Sequence, residues 1–201
     1  MLQRTWFIFV WAISISLTCS GVSFAKPGYV GGSSCGGCHR IAMVSWEMTA
    51  HAKAFESLKP GVKKQEKLKG NLDPNKDYTN DKSCLKCHTT GYQEAGGFKD
   101  AVSTSEMAGV GCESCHGAGS EYKVLHEKKK VTFTREEAKA AGALYSSEDP
   151  AICNSCHLGK DSTFTEKIDK KYKFDRRKAL DDRKAIHKKE STKDAFKVKM
   201  F

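Results

Sequence analysis

Four stretches of the chain share one pattern of reactive side chains: Cys35-Gly36-Gly37-Cys38-His39, Cys84-Leu85-Lys86-Cys87-His88, Cys112-Glu113-Ser114-Cys115-His116 and Cys153-Asn154-Ser155-Cys156-His157. Two thiols three residues apart fall about one helical turn from each other, so both can add to the two vinyl groups of a single porphyrin. The His that follows then swings beneath the ring as an axial ligand of its iron. Cys-x-x-Cys-His is the attachment pattern of c-type haem. Paired Cys-x-x-Cys units also make zinc ribbons, and cysteines of secreted chains form disulfides. Neither chemistry asks for a His directly after every second Cys, and this chain places four of its 7 His that way. The sequence therefore predicts four covalently attached haem c groups. Cys35, Cys38, Cys84, Cys87, Cys112, Cys115, Cys153 and Cys156 are their attachment points, and His39, His88, His116 and His157 their proximal ligands.

Counting ligands carries the reading further. Four irons have eight axial positions, the motif His fill four, and only His51, His126 and His187 remain as imidazole donors. At most three irons take two His. The eighth position is open to Met43, Met48, Met107, Met200, a Lys, water or nothing, and assembly into a homopolymer leaves the count per subunit unchanged. The Gly-rich stretch 91–111 after His88 holds no His and is expected to cover the distal face of the second haem lightly, which makes that iron the first choice for the open one. An iron with a free position binds small ligands such as nitric oxide, whereas bis-His irons mainly pass electrons.

The elements that position these residues are short. Residues 26–34 read as a flexible lead-in rich in Gly and Ser. The segment Ser45 to Leu58 reads as a helix with Met48, His51, Phe55 and Leu58 on one face, so His51 stands in an apolar stripe. A Lys-rich amphipathic stretch runs to Lys69, and Asn71-Leu72-Asp73-Pro74-Asn75 is a turn cluster. Gly109-Val110-Gly111 and Gly117-Ala118-Gly119 flank the third motif. A helix starting at Ser120 carries Tyr122 and His126 at i and i+4. Thr134-Arg135-Glu136-Glu137 is a capping box for a short helix closed by Gly142. Asp149-Pro150 caps the helix of the fourth motif, and Asp175 caps a charged helix with Leu180 and His187 on a shared face. The first cysteines are 49, 28 and 41 residues apart, so the chain is one multihaem unit and not a repeat array. The expected fold class is mainly α, a multihaem cytochrome c with haems packed among short helices and loops and little or no sheet.

The chain opens with one Arg and the apolar run Trp6 to Leu17, followed by Ser23-Phe24-Ala25, the pattern of a secretory signal peptide cleaved near Ala25. Residues 1–25 are thus a leader and 26–201 the tetrahaem domain. Lipid attachment at Cys19 is the alternative, though the small residue such a site wants before the Cys is missing. Removing the leader takes away Cys19 and leaves eight Cys, two per haem. No second apolar stretch is long enough to span a bilayer. The net charge of +10 falls to +9 with the leader gone. Haem propionates account for part of this excess, and the rest can steer an acidic redox partner. Basic patches interleaved with aromatics are absent, which argues against a nucleic-acid partner.

The segment Ser45-Trp46 with Thr49-Ala50-His51-Ala52-Lys53-Ala54-Phe55-Glu56-Ser57-Leu58-Lys59-Pro60 resembles the cytochrome c-554 family. So do Leu72-Asp73-Pro74 with Lys76-Asp77-Tyr78, and Gly109-Val110-Gly111-Cys112-Glu113-Ser114-Cys115-His116-Gly117. The likeness is dense from about residue 35 to 117 and thin beyond His126. It implies a periplasmic, mostly helical tetrahaem electron carrier, with some haems in stacked pairs, that accepts electrons from hydroxylamine oxidoreductase and passes them towards the quinone pool through a membrane cytochrome. It also implies that His39 pairs with His126, His116 with His187 and His157 with His51, leaving the haem of His88 five-coordinate. A monomer or dimer is expected. Two other functions compete with electron transfer: reduction of nitric oxide at the open iron, and conduction along an extracellular filament of this chain.

Overall fold

The structure, a computed structural model, describes residues 25–129, 132–182 and 186–189. The leader up to residue 24, Cys19 and Met200 lie outside the described residues. Among those described, nine α-helices are joined by turns, and the one β pairing is an isolated antiparallel bridge between Thr89 and Ala108. The helices are α1 (Ser33–Gly36), α2 (Arg40–Glu47), α3 (Lys64–Lys69), α4 (Lys82–His88), α5 (Cys112–His116), α6 (Ser120–Lys129), α7 (Arg135–Ala140), α8 (Ala151–His157) and α9 (Arg176–Asp181). None exceeds ten residues, and helices this short are marginal in water by themselves. Caps and tertiary contacts must hold them. Asp81 accepts a hydrogen bond from the Ser83 N–H at the start of α4, the Thr134–Glu137 capping box opens α7, and Asp175 accepts from the Lys178 N–H in α9. No helix among the described residues is long and apolar enough to cross a membrane.

The apolar core is small and sits beside the second motif. Phe55, Leu58, Tyr78, Leu85, Phe98 and Met107 pack together, with the Phe55 and Phe98 rings 5.3 Å apart. Leu85 is the residue after Cys84, so the helix of the second motif turns one face into this core. Lys67 is buried against it, with its ammonium 5.3 Å from the centre of the Tyr78 ring and donating to the Lys59 carbonyl at 2.7 Å.

Four expectations from the sequence need correction. The helix read over Ser45 to Leu58 is two elements, because α2 stops at Glu47 and only a 3₁₀ turn, Phe55–Leu58, follows. Thr49 is the breaker. Its side chain is 2% exposed, and its hydroxyl accepts from the Ala52 N–H at 3.2 Å, a local bond that competes with helix continuation. Met48 is consequently 75% exposed, while Phe55 and Leu58 are buried. Second, the stretch 91–111 is more than a thin loop, since it folds back to insert Phe98 and Met107 into the core. Third, residues 26–34 are pinned: the Tyr29 N–H donates to the Ala95 carbonyl at 2.8 Å, and Gly28 exchanges bonds with Ser120. Fourth, α9 ends at Asp181 and Asp182 is extended, so His187 lies beyond the helix rather than on its face.

Candidate functional site

Three of the four motifs are helices that end on their own His: α4 on His88, α5 on His116 and α8 on His157. In the first motif a short helix and a turn lead to His39, which caps α2. Within each motif the two cysteines stand at i and i+3, on one face. None of the eight is paired in a disulfide, and each is partly exposed.

Thiols of different motifs also meet. The Cys35 and Cys112 sulfurs are neighbours, as are those of Cys87 and Cys156. Burial, followed by the nearby sulfurs of Cys153, Cys112 and Cys156, lifts Cys115 to about 11. The motif sulfurs therefore adjoin in the order first, third, fourth, second, which is not their order in the chain.

Two of the three histidines that the motifs leave over, His51 and His187, lie beside motif histidines. The ring centres of His51 and His157 are 6.0 Å apart, and those of His116 and His187 are 6.2 Å apart. Two imidazoles on opposite sides of one metal ion should be separated by roughly 6 Å, allowing about 2 Å for each metal–nitrogen bond and about 1 Å from that nitrogen to the ring centre. Both pairs fit an iron between them. His126 lies on α6 with its ring 4.2 Å from Phe133 and 6.0 Å from Tyr122.

Hydrogen bonds fix which nitrogen is free to bind. The Nδ1–H of His88 donates to the Ala54 carbonyl at 2.7 Å, with the Ser57 hydroxyl 3.2 Å from the same nitrogen. The Nδ1–H of His126 donates to the Tyr122 carbonyl at 2.9 Å, and that of His187 to the Lys188 carbonyl at 2.7 Å. A carbonyl can only accept, so in all three Nε2 carries the lone pair, the arrangement usual for a metal-ligating His. Phe174 stacks on His157 with ring centres 4.1 Å apart and planes 5° from parallel, which holds that imidazole in one orientation.

His116 and His157 keep much of their surface accessible, although protein crowds both rings. Burial, then the charges of His187 and His39, pushes His116 down to about 4. Burial, then His51, lowers His157, and burial lowers His88 against the opposing pull of the Ala54 carbonyl. Neutral imidazoles are the form that binds iron.

One functional candidate escaped the sequence reading. Glu113, between the cysteines of the third motif, is 1% exposed. Its carboxylate accepts from the N–H groups of Val30 at 3.0 and 3.1 Å, Gly31 at 2.8 Å and Gly119 at 2.7 Å. Burying a lone carboxylate costs several kcal/mol, and charge-assisted bonds worth about 1.5–3 kcal/mol each offset that. The signal in the sequence was an acid standing between the two cysteines of a motif.

The donor sets thus fit covalently held haem. A family model described as cytochrome c554 and c-prime matches residues 34–117. Cytochrome c-554 of Nitrosomonas europaea is 37% identical over 187 residues, spanning 84% of this chain and 79% of its own length. The chain belongs to the cytochrome c554 family. A solved structure of the reduced state of cytochrome c554 from Nitrosomonas europaea superposes with a TM-score of 0.73 at 38% identity, over 81% of this chain and 86% of the other. As a member of the family the chain is a c-type cytochrome, an electron carrier with four covalently attached haem c groups.

Proposed function

We propose that this cytochrome works in the periplasm, taking electrons from hydroxylamine oxidoreductase and giving them to a quinone-linked membrane cytochrome. The observation that carries the reading is the pairing of His51 with His157 and of His116 with His187 at the spacing one iron needs. Bound haem supplies the one-electron chemistry, each iron alternating between ferric and ferrous. The chain supplies the rest. The eight motif sulfurs tether the groups and the four motif His are proximal ligands, while His51, His126 and His187 are distal ligands. Imidazole on both faces keeps the coordination the same in both oxidation states, so little has to reorganise. The adjoining sulfurs bring neighbouring sites close enough for a continuous route. A leader removed near Ala25 delivers the chain to the periplasm. The basic excess steers an acidic partner, and Lys76, Lys82 and Lys86 are exposed around the second motif.

Electron paramagnetic resonance of the oxidised holoprotein tests the ligand set. Three low-spin bis-imidazole irons and one high-spin iron are expected, with nitric oxide binding to a single iron after reduction. Fewer than three bis-imidazole signals would sink the assignment of His51, His126 and His187. Rapid reduction by hydroxylamine oxidoreductase with hydroxylamine tests the donor, and failure to reduce removes it.

A second reading, nitric oxide reduction at the iron of His88, is favoured by seven His for eight positions and by where the methionines lie. Met43 packs against Gly36 of the first motif and Gly32 just before it, Met48 is exposed and Met107 is in the core. The reaction joins two nitric oxide molecules with two electrons and two protons to give nitrous oxide and water. Turnover with a chemical reductant as the sole electron source is its test, and a rate equal to the reductant alone rejects it.

A further inference from the structure

Glu113 is the most enclosed charge in the described part of the molecule, and its surroundings point to more than a fold constraint. Its bonds run to Val30 and Gly31 on one side and Gly119 on the other, so it clamps the lead-in strand to the end of the third motif. Gly31 is the link to the first motif. Its N–H donates to the carboxylate at 2.8 Å, and its carbonyl lies 4.0 Å from the Cys35 sulfur. Gly32 in turn adjoins the Cys112 sulfur, at 3.8 Å from the position a Cβ would take. The carboxylate therefore stands beside the one place where the first and third motifs touch. Every hydrogen bond it makes is accepted from a backbone N–H, the surroundings that suit a carboxylate. A cation opposes it there. Lys123, on α6, acts on the Cys35 thiol with the opposite sign, and its ammonium is partly exposed and bonded to Glu127 at 2.9 Å.

We propose that Glu113 is a fixed buried anion that holds down the reduction potentials of the two haems attached at Cys35/Cys38 and Cys112/Cys115, with Lys123 partly opposing it. The proposal rests on the reading of these motifs as haem sites. A ferric iron carries one more positive charge than a ferrous one, so a nearby anion favours the oxidised state. Over about 10 Å at an effective dielectric of about 20, one charge shifts a one-electron equilibrium by roughly tenfold. Glu113 also differs from the other charges near the motifs. Arg176, beside Cys153, and Lys67, buried near Cys84, have the opposite sign, and Lys76 near Cys84 faces solvent.

Glu113→Gln tests this in the holoprotein, with haem counted by mass so that a lost site is told apart from a shifted potential. In a variant that keeps four haems, redox titration followed through resolved haem-methyl proton signals should show the reduced-to-oxidised ratio of those two haems rising about tenfold at fixed ambient potential, about 59 mV for one electron. The other two haems should stay within a small fraction of that, and Glu113→Asp should restore the original values. Equal shifts at all four haems, or none at the pair, overturn the proposal. If Glu113→Gln does not mature with four haems, Lys123→Gln decides. It removes the opposing cation from a tolerant site, and the same ratio should fall by about two- to threefold at low ionic strength and less in salt. An unmoved ratio in Lys123→Gln overturns the proposal equally.

Discussion

Gly109 is the point at which the backbones of two sites are joined, and Gly109→Ala is the sharpest test of that arrangement. Gly109 is buried with φ at +94°, its N–H donates to the His88 carbonyl at 3.0 Å, and the next N–H, of Val110, donates to the His51 carbonyl at 2.9 Å. A Cβ there would lie 2.5 Å from the Ala52 carbonyl oxygen and 3.3 Å from that of His51. Both are backbone atoms, so no side chain can swing away. Left-handed backbone in an L-residue costs about 1–2 kcal/mol, and forcing packed backbone apart costs about 1–3 kcal/mol. The sum, about 2–5 kcal/mol, corresponds to roughly 2–4 °C per kcal/mol in a domain of this size. Gly37→Ala is the matched control, because Gly37 has φ at −62° and nothing within 4 Å of a Cβ. It should be neutral or stabilising by about 0.4–1 kcal/mol. The assay is Soret-monitored melting of both holoproteins at equal haem content and one scan rate, with paramagnetic resonance at low temperature. Because Ala52 follows His51, Gly109→Ala should also disturb the low-spin signal that depends on the His51–His157 pair. If Gly109→Ala melts with Gly37→Ala and its spectrum is unaltered, the joint between the two sites is wrong.

Other outcomes follow from the same geometry. His51→Ala should convert one low-spin iron to high spin and create a second nitric oxide-binding iron, read by paramagnetic resonance. Reversing Lys76, Lys82 and Lys86 together to Glu should slow electron exchange with an acidic redox partner by about tenfold or more at low ionic strength, with the difference shrinking as salt is added in stopped-flow measurements. The side chain and then the backbone N–H of Ser83 hold Asp81 below the usual carboxylate range. A depressed folded value means the cap is fully present above about pH 4 and is lost as pH falls through that value. Asp81→Ala should cost about 1 kcal/mol at neutral pH, a difference that vanishes in strongly acidic denaturation curves.

What the sequence made legible was local. The Cys-x-x-Cys-His units, the Thr134 capping box, the Asp149 and Asp175 caps and the start of α6 at Ser120 are patterns confined to a few residues, and each has its structural counterpart. The helix read through Thr49 failed because periodicity cannot see a hydroxyl that bonds its own backbone three residues on. The lead-in looked flexible because Gly and Ser carry no sign of the buried carboxylate that binds them from 82 residues away. His187 was placed on a helix because Leu180 and His187 share a period, but the capping of α9 reaches only to Asp181. In each case the deciding contact is either a single side-chain bond or one distant in the chain, and neither leaves a periodic trace.

The same division explains why the sites are coupled in an order the chain does not suggest. His51 faces His157 of the fourth motif, while Ala54, three residues on, offers its carbonyl to His88 of the second. One short segment therefore sets a ring at one site and a tautomer at another, and the sulfurs of Cys87 and Cys156 meet beneath it. The first and third motifs are joined separately, through Cys35, Cys112 and the Gly31–Glu113 bond. The sulfurs of the two pairs come together at Cys115, near Cys153 and Cys156, and the neighbouring Ser114 hydroxyl donates to that of Thr90, beside the second motif, at 3.2 Å. Two tightly joined pairs whose sulfurs meet at Cys115 form a linear route of four sites. The site of His88, proposed above as the one with an open iron, stands at one end of it. An open iron at the end of a line can meet a small ligand or a partner without interrupting passage between the other three, whereas the same iron in the middle would stop the route whenever it was occupied.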